Sequence, residues 1–444
     1  MQVLFNGIEK HKQLIYDAEK FIWEHPETGY KEFETSKYLE EQFTKLGYEI
    51  VKAKDITGFY ARIDTGRPGP ELLILGELDS VICHNHPECN KTTGAVHSCG
   101  HHAQTATLLG IAAALKEDGA LDDMCGRIRL CAVPAEELLE IEYRENLINK
   151  GIIKYMGGKS EFLSRGMFDG VDLAFMVHTA GRFGVRRGGN VGCMAKRIVY
   201  KGVAAHAGGS PWEGKNALYA ATLGLNAINS IRETFKEADL IRVHPIITDG
   251  GSMVNAIPEK VVLESYVRGK TFAGIKEANE KVNRALIGSA LSLGANIEII
   301  DTPGYAPLTH DTNLIDVASK ALKIACPDLE LAIYEGTSTG STDMGDLSCV
   351  MPVIHPYCAG ATGTDHGKDY KVVDVDSACI KNAKWQLAMA YILLSNNAEI
   401  AKKVIAESKP LFSSKEEYLS YIDAINSKGD RITYNEDGTA TLKL

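Results

Sequence analysis

Apolar and charged residues alternate at helical spacing from Gln13 to Leu46, broken once at His25-Pro26-Glu27-Thr28-Gly29. A helical pattern interrupted by a Pro- and Gly-containing turn predicts two helices. Short apolar runs follow at Glu71–Leu75, Ile128–Val133 and Val171–Val177, each bounded by polar, Pro or Gly residues, with a helical stretch at Thr105–Leu115 between the first two. This β-α-β rhythm predicts an α/β sheet of buried, mostly parallel strands. From about Gly189 the pattern changes to strand (Met194–Tyr200), helix (Lys215–Phe235), strand (Ile241–Ile247), strand (Lys260–Val267), helix (Phe272–Leu293) and strand (Asn296–Ile300). That order is βαββαβ, the split ferredoxin-like α+β arrangement, which is complete in itself. Beyond Thr302 the α/β rhythm resumes with a helix near Leu314–Ala325, a strand at Val350–Ile354 and a long amphipathic helix at Val375–Leu394. The last fifty residues are more polar and read as short helices and a terminal hairpin. The expected division is a discontinuous α/β domain from residues 1–188 and 303–444, with an α+β domain, 189–302, inserted into it.

At 444 residues the chain exceeds the size at which one core usually stops growing, which agrees with two domains. Forty-eight Lys and Arg stand against 58 Asp and Glu, a net charge of −10, and no long basic run occurs, so nucleic acid is not an expected partner. No stretch reaches the roughly 18 apolar residues of a membrane span, and the N-terminus lacks a signal-peptide core. No membrane association and a cytoplasmic location are therefore expected. The ten Cys have no regular spacing, which suits reduced thiols better than a disulfide framework.

Three predicted strands end in potential metal ligands: the first leads to Glu77 and Asp79, the second to Glu136 and Glu137, the third to His178. In open α/β sheets ligands bind at the carboxyl ends of strands. Ser98-Cys99-Gly100-His101-His102 precedes a helix, and its thiolate and imidazole approach one point on a tight turn, a pairing that zinc accepts. His366 sits in a Gly-rich loop after the Val350–Ile354 strand. Pro134 ends the regular strand, so Glu136 and Glu137 need not face opposite ways and can reach one site. Of two carboxylates beside a cation, one can bind metal while the other accepts a proton. A lone His at a strand end is more often a satisfied polar residue; the weight lies in the joint occurrence.

Gly76-Glu77-Leu78-Asp79, His97-Ser98-Cys99-Gly100-His101, Pro134-Ala135-Glu136-Glu137, Val177-His178, Ala205-His206-Ala207-Gly208-Gly209-Ser210-Pro211 and Asn255-Ala256-Ile257-Pro258 together resemble the zinc aminoacylase and carboxypeptidase superfamily of metallopeptidases, in order across about residues 20 to 370. Within it the chain resembles the amidohydrolase branch with a Cys-Gly-His motif. Gly157-Gly158-Lys159, Gly166-Met167-Phe168-Asp169 and Ser341-Thr342-Asp343-Met344-Gly345-Asp346 are most similar to aminobenzoyl-glutamate hydrolases and related intracellular dipeptidases. The resemblance implies two divalent metal ions, zinc with manganese or cobalt as alternatives, bridged by Cys99 and held by His101, Glu137, His178 and His366. It implies Glu136 as general base and later acid, with Asp79 orienting a ligand. It also implies His206 as a catalytic residue that stabilises the oxyanion, and Asn255 and Arg268 as substrate contacts, with His206 and Asn255 reaching across a homodimer formed by the inserted lid domain. The expected reaction is hydrolysis of the amide bond in a small N-acyl amino acid or dipeptide by metal-activated water. The alternatives are an aminobenzoyl-glutamate carboxypeptidase-type hydrolase and a catalytically silent metal-binding protein of the same fold.

The chain departs from this pattern at His102, where the branch usually has Asp, and at Gln104, where it often has His. No Lys or Arg occurs between Arg284 and Lys320, which argues against a basic clamp for a glutamate side chain there. Cys83-His84-Asn85-His86-Pro87-Glu88-Cys89 reads as a polar loop, with a separate zinc site as the alternative. Arg186-Arg187-Gly188-Gly189 reads as a solvated hinge, with an anion contact as the alternative.

Overall fold

A computed structural model describes residues 1–444. Its first sheet has the order Ile50–Lys52, Phe59–Asp64, Arg127–Val133, Glu71–Glu77, Leu173–Phe175, Val353–Ile354. The last four strands are mutually parallel and the first two antiparallel, so the sheet is mixed and mostly parallel. Every residue of Glu71–Glu77 is buried, as expected of a central strand covered by helices on both faces. Pro352 and Pro356 confine the expected Val350–Ile354 strand to Val353–Ile354.

The helix His101–Leu115 is buried along its whole length. Its sequence, HHAQTATLLGIAAAL, is small and apolar on all sides, which suits a helix enclosed by the sheet and other helices. The helices Lys12–Glu24 and Phe33–Lys45 flank the predicted turn, and a further helix, Gln2–Lys10, buries Leu4 and Ile8 in the same core.

The second sheet runs Arg242–Val243, Lys260–Gly269, Gly192–Lys201, Asn296–Tyr305, Ser427–Asp430, with Ile246–Asp249 also paired to Lys260–Gly269. The helices Ala217–Ile231 and Phe272–Ser292 pack on it around Ile198, Leu263, Leu286 and Ile299. Among residues 189–302 this is the expected βαββαβ arrangement, with the expected Ile241–Ile247 strand divided in two. Pro245, which has no N–H to donate, lies at the division. Beneath the helix Phe272–Ser292, buried Lys196 donates to Asp301, to Asn279 at 2.8 Å and to Asn283 at 2.6 Å. Both asparagines return donors to Asp301, at 2.9 and 2.8 Å, so every member of this buried network has a partner.

The tail differs from its expected place in the first domain. The helix Lys415–Ile425 packs Tyr418 and Ile422 into the core beneath the first sheet, but Ser427–Asp430 pairs antiparallel with Glu298–Asp301 of the second. The predicted terminal hairpin, Ile432–Tyr434 with Ala440–Leu442, follows on that side, where the Tyr434 hydroxyl donates to Ala295 O at 2.8 Å. No helix is long and apolar enough to cross a membrane.

Candidate metal centre and active site

Arg127–Val133, Glu71–Glu77 and Leu173–Phe175 are adjacent and parallel, so their carboxyl ends deliver Glu136, Glu137, Asp79 and His178 to one edge. After Pro134 the backbone turns through Ala135 at φ 56°, a left-handed conformation uncommon for a residue with a Cβ, before reaching the two glutamates. The Ala135 N–H is held by the Glu32 carboxylate at 2.8 Å. Gly100 has φ 86°, and a Cβ there would lie 2.4 Å from the Tyr370 hydroxyl and 2.9 Å from Thr179 Cβ. Glycine at this point lets Cys99 and His101 flank the first turn of the helix and face one site.

Cys99 Sγ lies 3.4 Å from His178 Nε2 and 3.3 Å from His366 Nε2, and His366 Nε2 lies 3.0 Å from Glu137 Oε1. Two groups of ligand atoms form, Cys99 with His101 and His178, and Cys99 with Glu137 and His366; in each, all atoms lie within 4.8 Å of one another. They share the thiol. The chemistry of the donors, one sulfur, three imidazoles and a carboxylate, fits a pair of divalent ions of the zinc type. The outward ring atoms are taken: His101 Nδ1 lies 2.9 Å from Asp79 O, and His178 Nδ1 lies 2.8 Å from Thr179 O. Nε2 of each ring is thereby turned inward, and His101 Nε2 is buried with no hydrogen-bond partner. The Asp79 carboxylate accepts the Glu137 N–H at 2.8 Å, so one residue, through its carbonyl and its carboxylate, holds both the His101 ring and the Glu137 backbone.

Glu136 is buried beside this cluster, its carboxylate 4.0 Å from His101 Nε2. Burial, with the neighbouring Glu77 and Glu137 carboxylates, pushes Glu136 well above the usual carboxylate range. Burial also pushes Glu137 up, but the His366 and His101 imidazoles and hydrogen bonds from His366 and Cys99 outweigh it and hold the group at about 2. The two adjacent glutamates thus sit in different environments, one pushed up and the other held down.

Two buried residues, Lys159 and Asp343, escape the reading of ligands from strand ends. Lys159 donates to both Glu77 and Asp343, and all three side chains are fully buried. The Glu77 carboxylate also lies 3.2 Å from His101 Nε2, and Glu77, His101 and Glu136 form a third compact ligand group. Gln104 gives its departure from the usual pattern a structural use: its amide accepts the Glu77 N–H at 2.6 Å and donates to the Glu77 carboxylate at 3.2 Å. His102 points away from the ligands, toward Glu19 at 3.3 Å and the Trp23 ring. His355, in a His-Pro pair that carried no recognised motif, packs against His178 and Tyr357 on the cavity wall.

The ligand cluster opens into a cavity of about 860 Å³. Arg268 reaches it from the second sheet and lies 3.4 Å from the Ser341 hydroxyl. His206 and Asn255 do not line it; both are exposed on the second unit, in neighbouring loops joined by a His206–Ala256 bridge. His206 Nδ1 accepts the Gly208 and Gly209 N–H groups at 3.1 and 2.8 Å. The Cys83–Cys89 loop gathers no group of ligand atoms: His86 Nε2 is 3.0 Å from Tyr370 O, and Cys89 Sγ faces His84 O at 3.5 Å.

A mostly parallel α/β sheet with clustered thiol, imidazole and carboxylate donors at its strand ends defines a metallohydrolase class of site. The profile of peptidase family M20/M25/M40 matches residues 73–390, and the chain belongs to that family of metallopeptidases and amidohydrolases. It is 28% identical over 331 residues to the indole-3-acetyl-aspartic acid hydrolase of Enterobacter agglomerans, covering 62% of this chain and 70% of that one. It is 28% identical over 372 residues to the Xaa-Arg dipeptidase of Homo sapiens, covering 79% and 77%. Among solved structures, a dinuclear metal-binding M20 peptidase of Bacillus subtilis shares the fold with a TM-score of 0.61 at 22% identity, covering 86% of this chain and 98% of that one.

Proposed function

We propose that this enzyme hydrolyses the amide bond of a small N-acyl amino acid or dipeptide, with Glu136 as the proton-transferring group. The observation that carries the reading is the pair of ligand triads sharing Cys99, with the buried Glu136 carboxylate 4.0 Å from His101 Nε2 beside them. Cys99, His101, Glu137, His178 and His366 would hold two divalent ions, zinc with manganese or cobalt as alternatives. Such ions supply Lewis acidity toward the amide carbonyl and toward water. Glu136 accepts the proton of the attacking water and returns it to the departing amine nitrogen. Asp79 keeps the His101 ring and the Glu137 backbone in place, and Arg268 receives the substrate carboxylate.

His206 and Asn255 are exposed and lie outside the lining of their own cavity, which supports a role in a neighbouring subunit's site. Apolar surface on the same unit supports a homodimer: Tyr219 and Ile246 are 64% and 61% exposed, on a helix and on an outer strand of the second sheet. All ten cysteines are free, in keeping with a reducing compartment such as the cytoplasm.

The test is metal analysis of the purified protein followed by an amidase screen on acyl amino acids and dipeptides. Glu136→Gln should lower turnover by about two to four orders of magnitude while retaining most of the metal. Near wild-type turnover in that variant would remove Glu136 from the mechanism.

A further inference from the structure

The cavity wall beyond the ligand cluster is a small sheet in the order His178–Thr179, Tyr357–Cys358, Gly184–Arg186, Ala332–Tyr334. Its register pairs His178 with Tyr357, Tyr357 with Gly184, and Arg186 with Tyr334. Paired residues share a face, and so do residues two apart on one strand. His178, Tyr357, Gly184, Arg186 and Tyr334 therefore lie on one face, and all five line the cavity. Two strand spacings and two residues along the strand put the Arg186 backbone about 12 Å from that of His178. A Cβ at Gly184 would stand 3.1 Å from Tyr334 Cε2, so the glycine makes room for that ring on the shared face.

Arg182 joins Arg186 there. Their guanidinium carbons lie 4.8 and 5.6 Å from the centroid of the same Tyr334 ring. Neither guanidinium pairs with a carboxylate. The Glu335 carboxylate is taken by Arg187 Nε at 3.1 Å, and Arg186 meets only the Glu335 carbonyl, at 3.4 Å. The acids on the cavity wall, Glu136, Glu137 and Asp365, belong to the metal end. The aromatic face steadies two like charges side by side but does not neutralise them. A carboxylate between them would, through the charge-assisted forked contacts that guanidinium groups favour.

In the reaction proposed above, on which this inference rests, Arg268 already receives the one carboxylate that every N-acyl amino acid and dipeptide carries. The arginine pair beside Tyr334 is then left for a second one. We infer that the substrate is a dicarboxylate, its scissile amide at the Cys99 cluster, one carboxylate at Arg268 and the other held by Arg182 and Arg186 over Tyr334. The second carboxylate comes either from an acidic side chain of the released amino acid or from a dicarboxylic acyl group. The basic clamp that the sequence lacks between Arg284 and Lys320 is supplied instead by the Arg186 run.

The metal-loaded enzyme and an Arg182→Gln/Arg186→Gln double variant are compared on two isosteric pairs, N-acetyl-glutamate against N-acetyl-glutamine, and N-succinyl-alanine against N-succinamoyl-alanine. The expected result is a preference of about tenfold or more in kcat/KM for the acid in one pair, expressed mainly in KM and reduced to about onefold in the double variant. The pair that discriminates identifies the source of the carboxylate. Glutarate binding, measured by calorimetry, provides a readout independent of turnover and should weaken about tenfold in the double variant. Hydrolysis of the neutral amides with no charge preference would overturn the dicarboxylate subsite and leave the proposed reaction standing. Failure to cleave any of the four compounds, with glutarate binding still dependent on the arginine pair, would overturn the reaction and keep the subsite. Glutarate binding unchanged by the double substitution would overturn the subsite in either case.

Discussion

Cys99 Sγ lies 3.4 Å from Nε2 of His178, although 79 residues of chain separate a turn from a strand end. The same sulfur is 3.3 Å from His366 Nε2, so this thiol is the atom the two ligand groups have in common. Replacing it with a methyl group should therefore impair both groups at once. Cys99→Ala is expected to lose metal stoichiometry by elemental analysis while retaining the far-ultraviolet dichroism of the folded chain. Two metals per chain in that variant would reduce Cys99 to a buried thiol.

Gly100 separates the two N-terminal ligands at φ 86°, with the Tyr370 hydroxyl 2.4 Å from where a Cβ would stand. Gly100→Ala combines a left-handed backbone with a steric overlap, each costing on the order of 1–3 kcal/mol. The expected outcome is a loss of about 2–4 kcal/mol in urea unfolding, accompanied by weaker metal retention. Unchanged stability would show that the turn has room to rearrange.

If His206 serves the neighbouring subunit, two inactive chains should complement each other. Glu136→Gln mixed with His206→Ala, after subunit exchange, gives heterodimers with one intact composite site, and up to about half of wild-type activity per heterodimer is expected. Mass measurement verifies the heterodimers. Their inactivity would place His206 in its own chain's reaction.

Asp346 offers a measurement away from the metal centre. Burial, and then the Asp343 carboxylate, raise its carboxyl from the ordinary 3.8 to about 7, while its partner Tyr418 donates a hydrogen bond. A carboxyl raised on folding contributes stability that is fully present below its unfolded value and is lost as pH rises through the folded one. Wild-type stability should thus fall relative to Asp346→Asn between about pH 4 and pH 8, as read from paired urea titrations. A difference that stays flat across that window would show that Asp346 does not titrate on unfolding there.

The candidate ligands at the strand ends were legible because each lies within a few residues of an apolar run, and Pro134 announces where its strand stops. The buried Glu77–Lys159–Asp343 group was not, since its members are 82 and 184 residues apart and no periodicity links them. Arg186 read as part of a solvated hinge because Arg-Arg-Gly-Gly has the composition of one; only its pairing with Tyr334 turns it to the cavity. The tail strand Ser427-Lys428-Gly429-Asp430 carries no apolar alternation, because it lies at the edge of its sheet with alternate residues exposed. Pro245 was visible all along as a break in its strand, and its missing donor should have divided the prediction there.

Between Ile425, the last residue of a helix seated against the first sheet, and Ser427, the first residue of a strand in the second, only Asn426 intervenes. The polypeptide thus passes from one unit to the other three times: near Val191, near Tyr305 and at Asn426. Two rigid bodies joined by two threads can swing about the line through them; a third thread arrests the swing unless it falls on that line. Parting the two units widely would therefore demand either that Ser427–Asp430 unzip from Glu298–Asp301 or that the helix Lys415–Ile425 slide with its strand.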